Sequence, residues 1–327
     1  NYVGYYAANA ISATRINKAI IDLPLSLNVV TSEFMTDINA FSLDEALQYT
    51  AGVNSEGFNA NVFSIRGFTA GATFRDGVGT PGGGFNTPSS LVDRVEVMKG
   101  PSALLYGQGT AGGVVNTITK KPTGARKNSV QLFYGSYDTR RGMYDFNGPV
   151  PGLKLKDWMI FYRLTGQYHR GDTHLFNQRI EEDVVNPMLS FIYRKNTSLT
   201  LQYTYQHHIN YGHPEAIAAL ASVPITDPRF AGIIDVAGLQ RRIPADVFSR
   251  LRASPSYADV PKSYNPEPPN AQIRSMNKVL TTTFEHAFTP QISLRSVGIY
   301  WHHTNFNYQR IGSIETCLLY TSDAADE

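Results

Sequence analysis

Apolar and polar residues alternate over long stretches in the second half of the chain. The clearest stretch is 199–206, where Leu199, Leu201, Tyr203 and Tyr205 alternate with Thr200, Gln202, Thr204 and Gln206. Successive side chains of a strand point to opposite faces, so this pattern predicts a strand with one apolar and one polar face. Residues 158–169 repeat the pattern in the other phase.

The alternating segments predict about seven strands after residue 128. We place them near 129–137, 140–148, 157–170, 184–195, 198–209, 274–287 and 291–306. Short connections alternate with longer ones, of which 211–273 is the longest. This asymmetry is typical of an outer-membrane β-barrel, whose apolar face meets lipid and whose polar face lines the lumen. In a soluble sandwich, the alternative, a second sheet would cover the apolar face.

The first 127 residues mix helix and strand signals and predict a small α+β domain. Thr31 or Ser32 is placed to cap a short helix through Asp37. Ser42 and Glu45 form a capping box for a second helix, which we expect to end near Thr50. Residues 62–68 predict a single strand, because they are rich in β-branched and aromatic side chains.

Composition narrows the class of protein. The chain has 327 residues, of which 42% are hydrophobic, 12% aromatic and only 17% charged. No run approaches the ~18 apolar residues of a membrane helix, so this composition suits a β-barrel or a secreted all-β protein. The single cysteine excludes an internal disulfide, and a net charge of +2 without a basic block gives no sign of nucleic-acid binding.

One short motif points to the wrong function. Residues 107–112 spell G-x-G-x-x-G, the dinucleotide-binding pattern. That pattern needs a strand before it and a helix after it. Here a short helix is predicted at 101–106 and a strand at 114–119, so the order is reversed and a cofactor site is not expected.

The same region carries a much longer resemblance. Residues 93–122, which include Gly100-Pro-Ser102, Leu105-Tyr-Gly107 and Thr119-Lys-Lys-Pro122, resemble the plug domain of TonB-dependent outer-membrane receptors. Further segments are similar to the family at 23–30, 42–53, 65–68, 76–78 and 135–149. The resemblance covers roughly residues 15–310 and is most like the ferric-siderophore receptors.

The resemblance implies a fold and a location. It implies an α+β plug domain at 1–127, followed by antiparallel transmembrane β-barrel strands at 128–316, with a long extracellular loop at 211–273. The intact family barrel has 22 strands, so we expect this chain to be truncated. From Cys317 onward the alternation breaks, and we interpret 317–327 as a sequencing-adapter artefact. The implied location is the outer membrane of a Gram-negative bacterium.

The resemblance also implies a transport function without catalysis. The expected substrate is a ferric siderophore, which carries its own iron, so no cofactor and no resident metal are expected. The expected partners are the TonB inner-membrane complex and outer-membrane lipid, and the complete receptor is expected to be a monomer. Receptors for haem, cobalamin or a glycan remain alternatives, as does a soluble all-β binding or adhesion module.

Candidate site residues follow from the family motifs. Arg66 and Lys99 match basic residues that latch the plug to barrel glutamates. Residues in the implied apical loops are candidates for contact with the ligand: Thr69, Ala70, Gly71, Ala72, Thr73, Phe74, Phe85 and Asn86. The pairs His207-His208 and His302-His303 are not expected to bind metal, because neighbours on a strand face opposite ways. The acidic run 181–183 is predicted to lie in a loop.

Overall fold

The structure is a computed structural model, and it describes most of the chain. The described residues are 2–12, 18–23, 25–55, 63–69, 73–80, 87–100, 106, 112–152, 156–173, 178–212, 272–289, 291–311 and 314–323. Among them, no helix has the length and apolar character needed to cross a membrane.

The N-terminal part, which we call the plug, is built from short elements. Its strands are β1 (Tyr2–Val3), β2 (Tyr6–Ala7), β3 (Asn9–Ala10), β4 (Lys18–Ala19), β5 (Ser26–Thr31), β6 (Val53–Ser55), β7 (Phe63–Ile65), β8 (Phe68–Thr69), β9 (Thr73–Arg75), β10 (Val78–Gly79), β11 (Val92–Lys99) and β12 (Gly113–Thr119). Its helices are α1 (Ser32–Asp37) and α2 (Leu43–Leu47), with 3₁₀ turns at Ile20–Asp22 and Ser89–Leu91. The central sheet has the order β10-β9-β12-β11-β5.

Both predicted helix starts are confirmed by their caps. The Thr31 hydroxyl accepts a hydrogen bond from the Phe34 amide at 3.3 Å. Ser42 accepts from the Glu45 amide at 3.2 Å, and the Glu45 carboxylate accepts from the Phe41 amide at 2.7 Å. The helix α2 ends at Leu47, earlier than predicted.

The predicted strand at 62–68 is wrong. Its described residues form a hairpin in which β7 pairs antiparallel with β8. Arg66 and Gly67 form the two-residue turn with φ values of +55° and +82°. A positive φ at both positions is the signature of the hairpin turn whose twist matches the strands. The β-branched and aromatic composition gave the strand signal, while the turn depends on a left-handed Arg66 that composition does not reveal.

The plug sheet has apolar side chains on both faces. On one face, Val95 and Val97 pack against the helices through residues such as Met35, Leu43 and Leu47. On the other face, Met98 packs with Phe74, Tyr106 and Val114. Burial of these side chains from water is the main force that stabilises the plug.

The second part of the chain, which we call the wall, is one antiparallel sheet. Its strands are β13 (Lys127–Gly135), β14 (Thr139–Pro149), β15 (Trp158–Asp172), β16 (Arg179–Tyr193), β17 (Thr197–Tyr211), β18 (Gln272–Ala287), β19 (Ser293–Ile311) and β20 (Ile314–Asp323). Each strand pairs with its neighbour in sequence. The seven predicted strands are confirmed as β13–β19, with shifted ends.

Two details of the wall differ from the sequence predictions. The strand β20 continues through Cys317, where the alternation was predicted to break. The artefact interpretation of 317–327 concerns the origin of these residues and stays a prediction. The acidic run 181–183 lies inside β16 rather than in a loop, and Glu182 is only 2% exposed.

The two faces of the wall meet different surroundings. On β17, the polar residues Gln202, Thr204 and Gln206 are 1%, 2% and 4% exposed, whereas Leu201 and Tyr203 are 37% and 41% exposed. The buried polar face is turned toward the plug, as shown by the hydrogen bond that Arg75 donates to Thr204. In the described residues no second sheet covers the apolar face of the wall.

Candidate functional site between plug and wall

The contact between plug and wall is centred on Asp76. This residue begins the turn between β9 and β10, with φ of +51°, and is 5% exposed. Its carboxylate accepts hydrogen bonds from the Thr119 amide at 3.1 Å and the Thr119 hydroxyl at 2.6 Å, and it pairs with Lys121 Nζ at 3.1 Å. The carboxylate is therefore held in its charged form by three donors.

The charged form of Asp76 is favoured despite its burial. Burial alone would raise the pKa of the carboxyl, because a low-polarity environment disfavours charge. The ammonium of Lys121 and the two hydrogen bonds from Thr119 outweigh burial and hold the pKa of Asp76 below its ordinary value. The network is thus built for an ionised aspartate.

Two side chains carry this network across to the wall. Lys121 Nζ donates to Gln202 Oε1 at 3.4 Å, and Arg75 Nη2 donates to Thr204 Oγ1 at 2.8 Å. On the wall, Gln202 and Thr204 both donate to Asn186 Oδ1, at 3.1 and 2.8 Å. The plug therefore meets a layer of inward polar side chains that are already bonded to each other.

A second contact holds the segment that joins the plug to the first wall strand. Arg163 binds Asp145 in bidentate fashion at 2.8 and 2.7 Å and also donates to the Lys121 carbonyl at 2.9 Å. Lys120 pairs with the same Asp145 at 3.1 Å. Bidentate arginine–carboxylate pairs fix geometry as well as charge, so this contact sets where the connection enters the wall.

A third contact lies nearer the end of the wall that carries the long connection 213–271. Arg141 lies over the ring of Phe41 at 4.6 Å and approaches Glu45 at 3.6 Å. It also donates to His169 Nε2 at 3.2 Å. Beside Arg141 and His169 is a cavity of about 250 Å³, whose lining also includes Tyr137, Thr139, Gly171, Asp172, Thr173 and Ile180.

The predicted latch residues lie close together. Lys99 Nζ donates to the Ala51 carbonyl at 2.6 Å, and Arg66 is exposed on the neighbouring turn. Burial and the nearby Arg66 guanidinium lower the pKa of Lys99. Neither residue makes an ion pair with a carboxylate among the described residues, so their pairing with barrel glutamates stays a prediction.

Some of the predicted ligand contacts lie in a strand. Thr73 and Phe74 belong to β9, so the predicted loop location is wrong for both. The Thr73 hydroxyl bonds Thr80 Oγ1 at 2.7 Å, and the Phe74 ring meets Tyr106 edge-on at 4.6 Å. The parallel pairing of β9 with β12 draws them into the sheet. Their contact with ligand remains a prediction.

The remaining predicted ligand contacts are mostly outside the described residues. This is true of Ala70, Gly71, Ala72, Phe85 and Asn86. Thr69 is described through its backbone, which ends β8, so the predicted loop location is wrong for it as well. Their proposed role therefore rests on the motif resemblance.

The histidine pairs split across the two faces of the wall. His303 faces inward and shares a 2.6 Å hydrogen bond with Asn277, and His208 Nδ1 lies 3.6 Å from Glu182. Within the described ranges, no group of three or more His, Cys, Asp or Glu side chains is arranged to hold a metal ion.

Sequence reasoning missed the residues that join plug and wall. The motifs include Asp76 without a role for it, and the strand pattern predicts no contact of Lys121 or Gln202. The available signal was the polar phase of the alternating strands, because every inward polar residue must find a partner once the interior is filled.

Comparison with known proteins identifies the family. Residues 19–114 match the TonB-dependent Receptor Plug Domain family. Over 233 residues the chain is 32% identical to the ferrioxamine receptor of Yersinia enterocolitica, an alignment covering 67% of this chain and 32% of that receptor. The chain belongs to the TonB-dependent receptors. These are transport receptors of the Gram-negative outer membrane, so the chain is an outer-membrane protein and not an enzyme.

Two further similarities extend over most of the chain. The metal-pseudopaline receptor of Pseudomonas aeruginosa is 28% identical over 307 residues, which are 91% of this chain and 38% of that receptor. The crystal structure of the ferripyoverdine receptor of P. aeruginosa matches the fold with a TM-score of 0.75 at 21% identity, covering 97% of this chain and 40% of that one. The chain thus spans about a third of the length of the curated TonB-dependent receptors it matches.

Proposed function

We propose that the receptor containing this chain takes up a ferric siderophore across the outer membrane, driven by the TonB complex. The observation that carries the proposal is a family plug domain seated against the polar face of a strand wall. The relatives named for ferrioxamine and ferripyoverdine support a ferric siderophore as the substrate class. The iron arrives inside the substrate, so the protein needs no cofactor of its own.

The proposed substrate site is at the end of the wall with the long connection. There Arg141 and His169 border the cavity of about 250 Å³. The plug residues 69–74, 85 and 86 are proposed to complete the site from below, since small residues allow close approach and aromatic residues add apolar contact. The cationic Arg141 suits an anionic chelate.

The surroundings of the receptor follow from its surfaces. The outward apolar residues of the wall, such as Leu201 and Tyr203, are proposed to contact outer-membrane lipid. Arg66 and Lys99 are proposed to pair with glutamates elsewhere in the receptor, which would hold the plug until TonB acts. The complete receptor is proposed to work as a monomer.

The test is ligand binding by the complete receptor in detergent. A panel of ferric siderophores is titrated against purified receptor, together with haem, cobalamin and a glycan. Tight binding of at least one ferric siderophore supports the proposal. Binding of haem, cobalamin or glycan alone overturns it.

A pair of adjacent variants locates the site. Arg141→Ala removes the inward guanidinium beside the cavity, and weaker chelate binding is expected. Arg140→Ala is the matched control, because Arg140 is exposed on the same strand and pairs with Asp138. Equal chelate affinity of the two variants would show that the substrate does not bind at this cavity.

A second candidate function is uptake of a chelate of another metal. The alignment with the metal-pseudopaline receptor covers 91% of this chain, more than the 67% aligned with the ferrioxamine receptor. Titration of one chelator loaded with ferric iron or with a divalent metal separates the candidates. A clear preference for the divalent chelate favours the second.

A further inference from the structure

The segment that precedes the plug sheet is anchored on it by one buried carboxylate. Glu96 is in β11, on the face opposite the helices, and is fully buried at 0% exposure. Ser12, at the end of the first described segment, is also 0% exposed. The two residues are 84 positions apart in sequence and in direct contact.

The contact uses nearly all hydrogen-bonding groups of both residues. Glu96 Oε2 accepts from the Ser12 amide at 2.7 Å, the Ser12 hydroxyl at 2.6 Å and the Ile11 amide at 3.0 Å. Glu96 Oε1 accepts from Arg94 Nε at 2.7 Å. The Ser12 carbonyl accepts from the Tyr106 hydroxyl at 2.8 Å.

Glu96 provides the buried part of the attachment of this segment. The segment also contacts the plug where the Thr31 hydroxyl donates to the Gly4 carbonyl at 2.9 Å and where the Tyr5 hydroxyl donates to Asp37. Hydrogen bonds to a charged acceptor are roughly twice as strong as neutral ones. The strands β1–β4 that accompany the segment are only two residues long and add little pairing of their own. A buried carboxylate left without donors is costly, so the joint resists opening.

The joint is also linked to the wall. Asn116 Nδ2 donates to Ser12 Oγ at 2.9 Å, and Asn116 Oδ1 accepts from the Gly77 amide at 3.0 Å. Gly77 follows Asp76, whose carboxylate binds the Lys121 ammonium that reaches Gln202. Hydrogen bonds, joined by the peptide linkage between Gly77 and Asp76, therefore connect Ser12 through the plug sheet to the wall.

We propose that the Glu96–Ser12 joint is the plug's binding site for its own N-terminal segment, and that a pull on this segment enters the sheet there. The pull acts on β11 through Glu96 and on β12 through Asn116, and it reaches the Asp76 contact with the wall. This inference rests on the proposed TonB-driven function. It assigns the mechanical connection to particular residues.

The test compares Glu96→Gln with Asp93→Asn in the complete receptor. The first variant keeps the shape but replaces one acceptor oxygen with an amide nitrogen that faces donors. The second removes a carboxylate from the same strand that pairs with the same Arg94. Hydrogen–deuterium exchange of amides 9–12 is measured, together with chelate binding and energised uptake.

The expected result distinguishes attachment of the N-terminal segment to the plug from binding of the substrate. Glu96→Gln speeds exchange of amides 9–12 by about tenfold or more, leaves chelate affinity unchanged and lowers energised uptake. Asp93→Asn behaves like the wild type. If exchange of amides 9–12 is unchanged in Glu96→Gln, the proposal that Glu96 anchors the segment is wrong. If exchange is faster but energised uptake is normal, the proposal that the pull enters the sheet through Glu96 is wrong.

A second variant and a comparison of exchange with chelate binding complete the test. If Glu96→Gln does not fold, Ser12→Ala removes the hydroxyl's bonds to Glu96 and Asn116 but keeps the amide contact, and the same pattern of faster exchange and lower uptake is required of it. Hydrogen–deuterium exchange of amides 9–12 can be measured without any substrate. If the wild type binds no chelate while exchange still responds to Glu96→Gln, the proposed function fails and the joint stands as an anchor.

Discussion

The plug sheet and the wall sheet follow the same alternation of side chains but place them in opposite surroundings. In the plug, Val95 and Val97 are fully buried against helices, and the sheet is enclosed on both faces. In the wall, apolar residues such as Leu201 and Tyr203 lie outward, while Gln202 and Thr204 are buried. The face of the plug sheet that meets the helices is therefore apolar, whereas the buried face of the wall is largely polar.

This difference shows that different interactions stabilise the plug and the wall. The plug is stabilised by apolar burial, which is non-directional and tolerates small shifts. The inner face of the wall is stabilised by hydrogen bonds between side chains, which require particular partners at particular distances. The plug is thus attached to the wall through polar contacts, which can be exchanged for water more readily than an apolar core can.

The largest expected effect comes from removing the central contact between the two sheets. Asp76→Ala removes the carboxylate that accepts from Lys121 and Thr119, which retain Gln202 Oε1 as an acceptor. Breaking a buried ion pair costs about 3–5 kcal/mol, and the partial exposure of Lys121 places the expected loss at the lower end of that range. We expect a matching loss in thermal stability and faster proteolysis of the plug. Asp138→Ala is the control, because Asp138 also has a positive φ but its pair with Arg140 is exposed, so a backbone cost of about 1 kcal/mol is expected of it. Equal effects of the two changes would show that the plug does not depend on this contact.

The next effect tests the outward face of the wall. Leu201→Arg places a charge on the proposed lipid-facing surface, at an expected cost of about 2–4 kcal/mol near the bilayer midplane. The measurement is folding into lipid vesicles followed by urea unfolding. Gln291→Arg, in an exposed turn, serves as the control. If both variants fold equally well into vesicles, Leu201 does not face hydrocarbon, and the proposed difference between the surroundings of the two sheets is wrong.

Acid should weaken the contact between plug and wall in a predictable direction. The folded pKa of Asp76 is lowered, so the carboxylate stabilises the fold above its unfolded pKa of about 3.9. This contribution is lost as the pH falls below about 4 and through the folded pKa. Thermal stability is measured against pH for the wild type and Asp76→Asn. The difference between them should shrink in acid, and a difference that stays constant would contradict the ionised assignment.

The smallest effect is expected at the predicted latch. Lys99→Ala removes the hydrogen bond to the Ala51 carbonyl, which is partly open to water, so less than about 1 kcal/mol of stability should be lost. Urea unfolding measures this change, with Lys127→Ala at the exposed start of β13 as the control. If Lys99→Ala costs much more stability in the complete receptor than in this chain, Lys99 makes an additional ionic contact in the complete receptor.

Local signals in the sequence predicted much of the fold. The capping residues Thr31 and Ser42 marked both helices, and the alternation predicted seven wall strands. The hairpin at Arg66-Gly67 was missed, because a left-handed arginine leaves no trace in composition. The run 181–183 predicts a loop, because three consecutive acidic residues indicate solvent exposure, whereas the buried Glu182 accepts hydrogen bonds from Gln167 and Gln206.

The period of the strands, the caps of the helices and, through its motifs, the family can be predicted from the amino-acid sequence. These depend on neighbours within a few positions, and local sterics and hydrogen bonding decide them. The buried face of the wall, the contact of Asp76 with Lys121 and the contact of Ser12 with Glu96 depend instead on tertiary packing. Those contacts join residues far apart in the chain, and the pattern of one strand does not specify what will fill the space beside it.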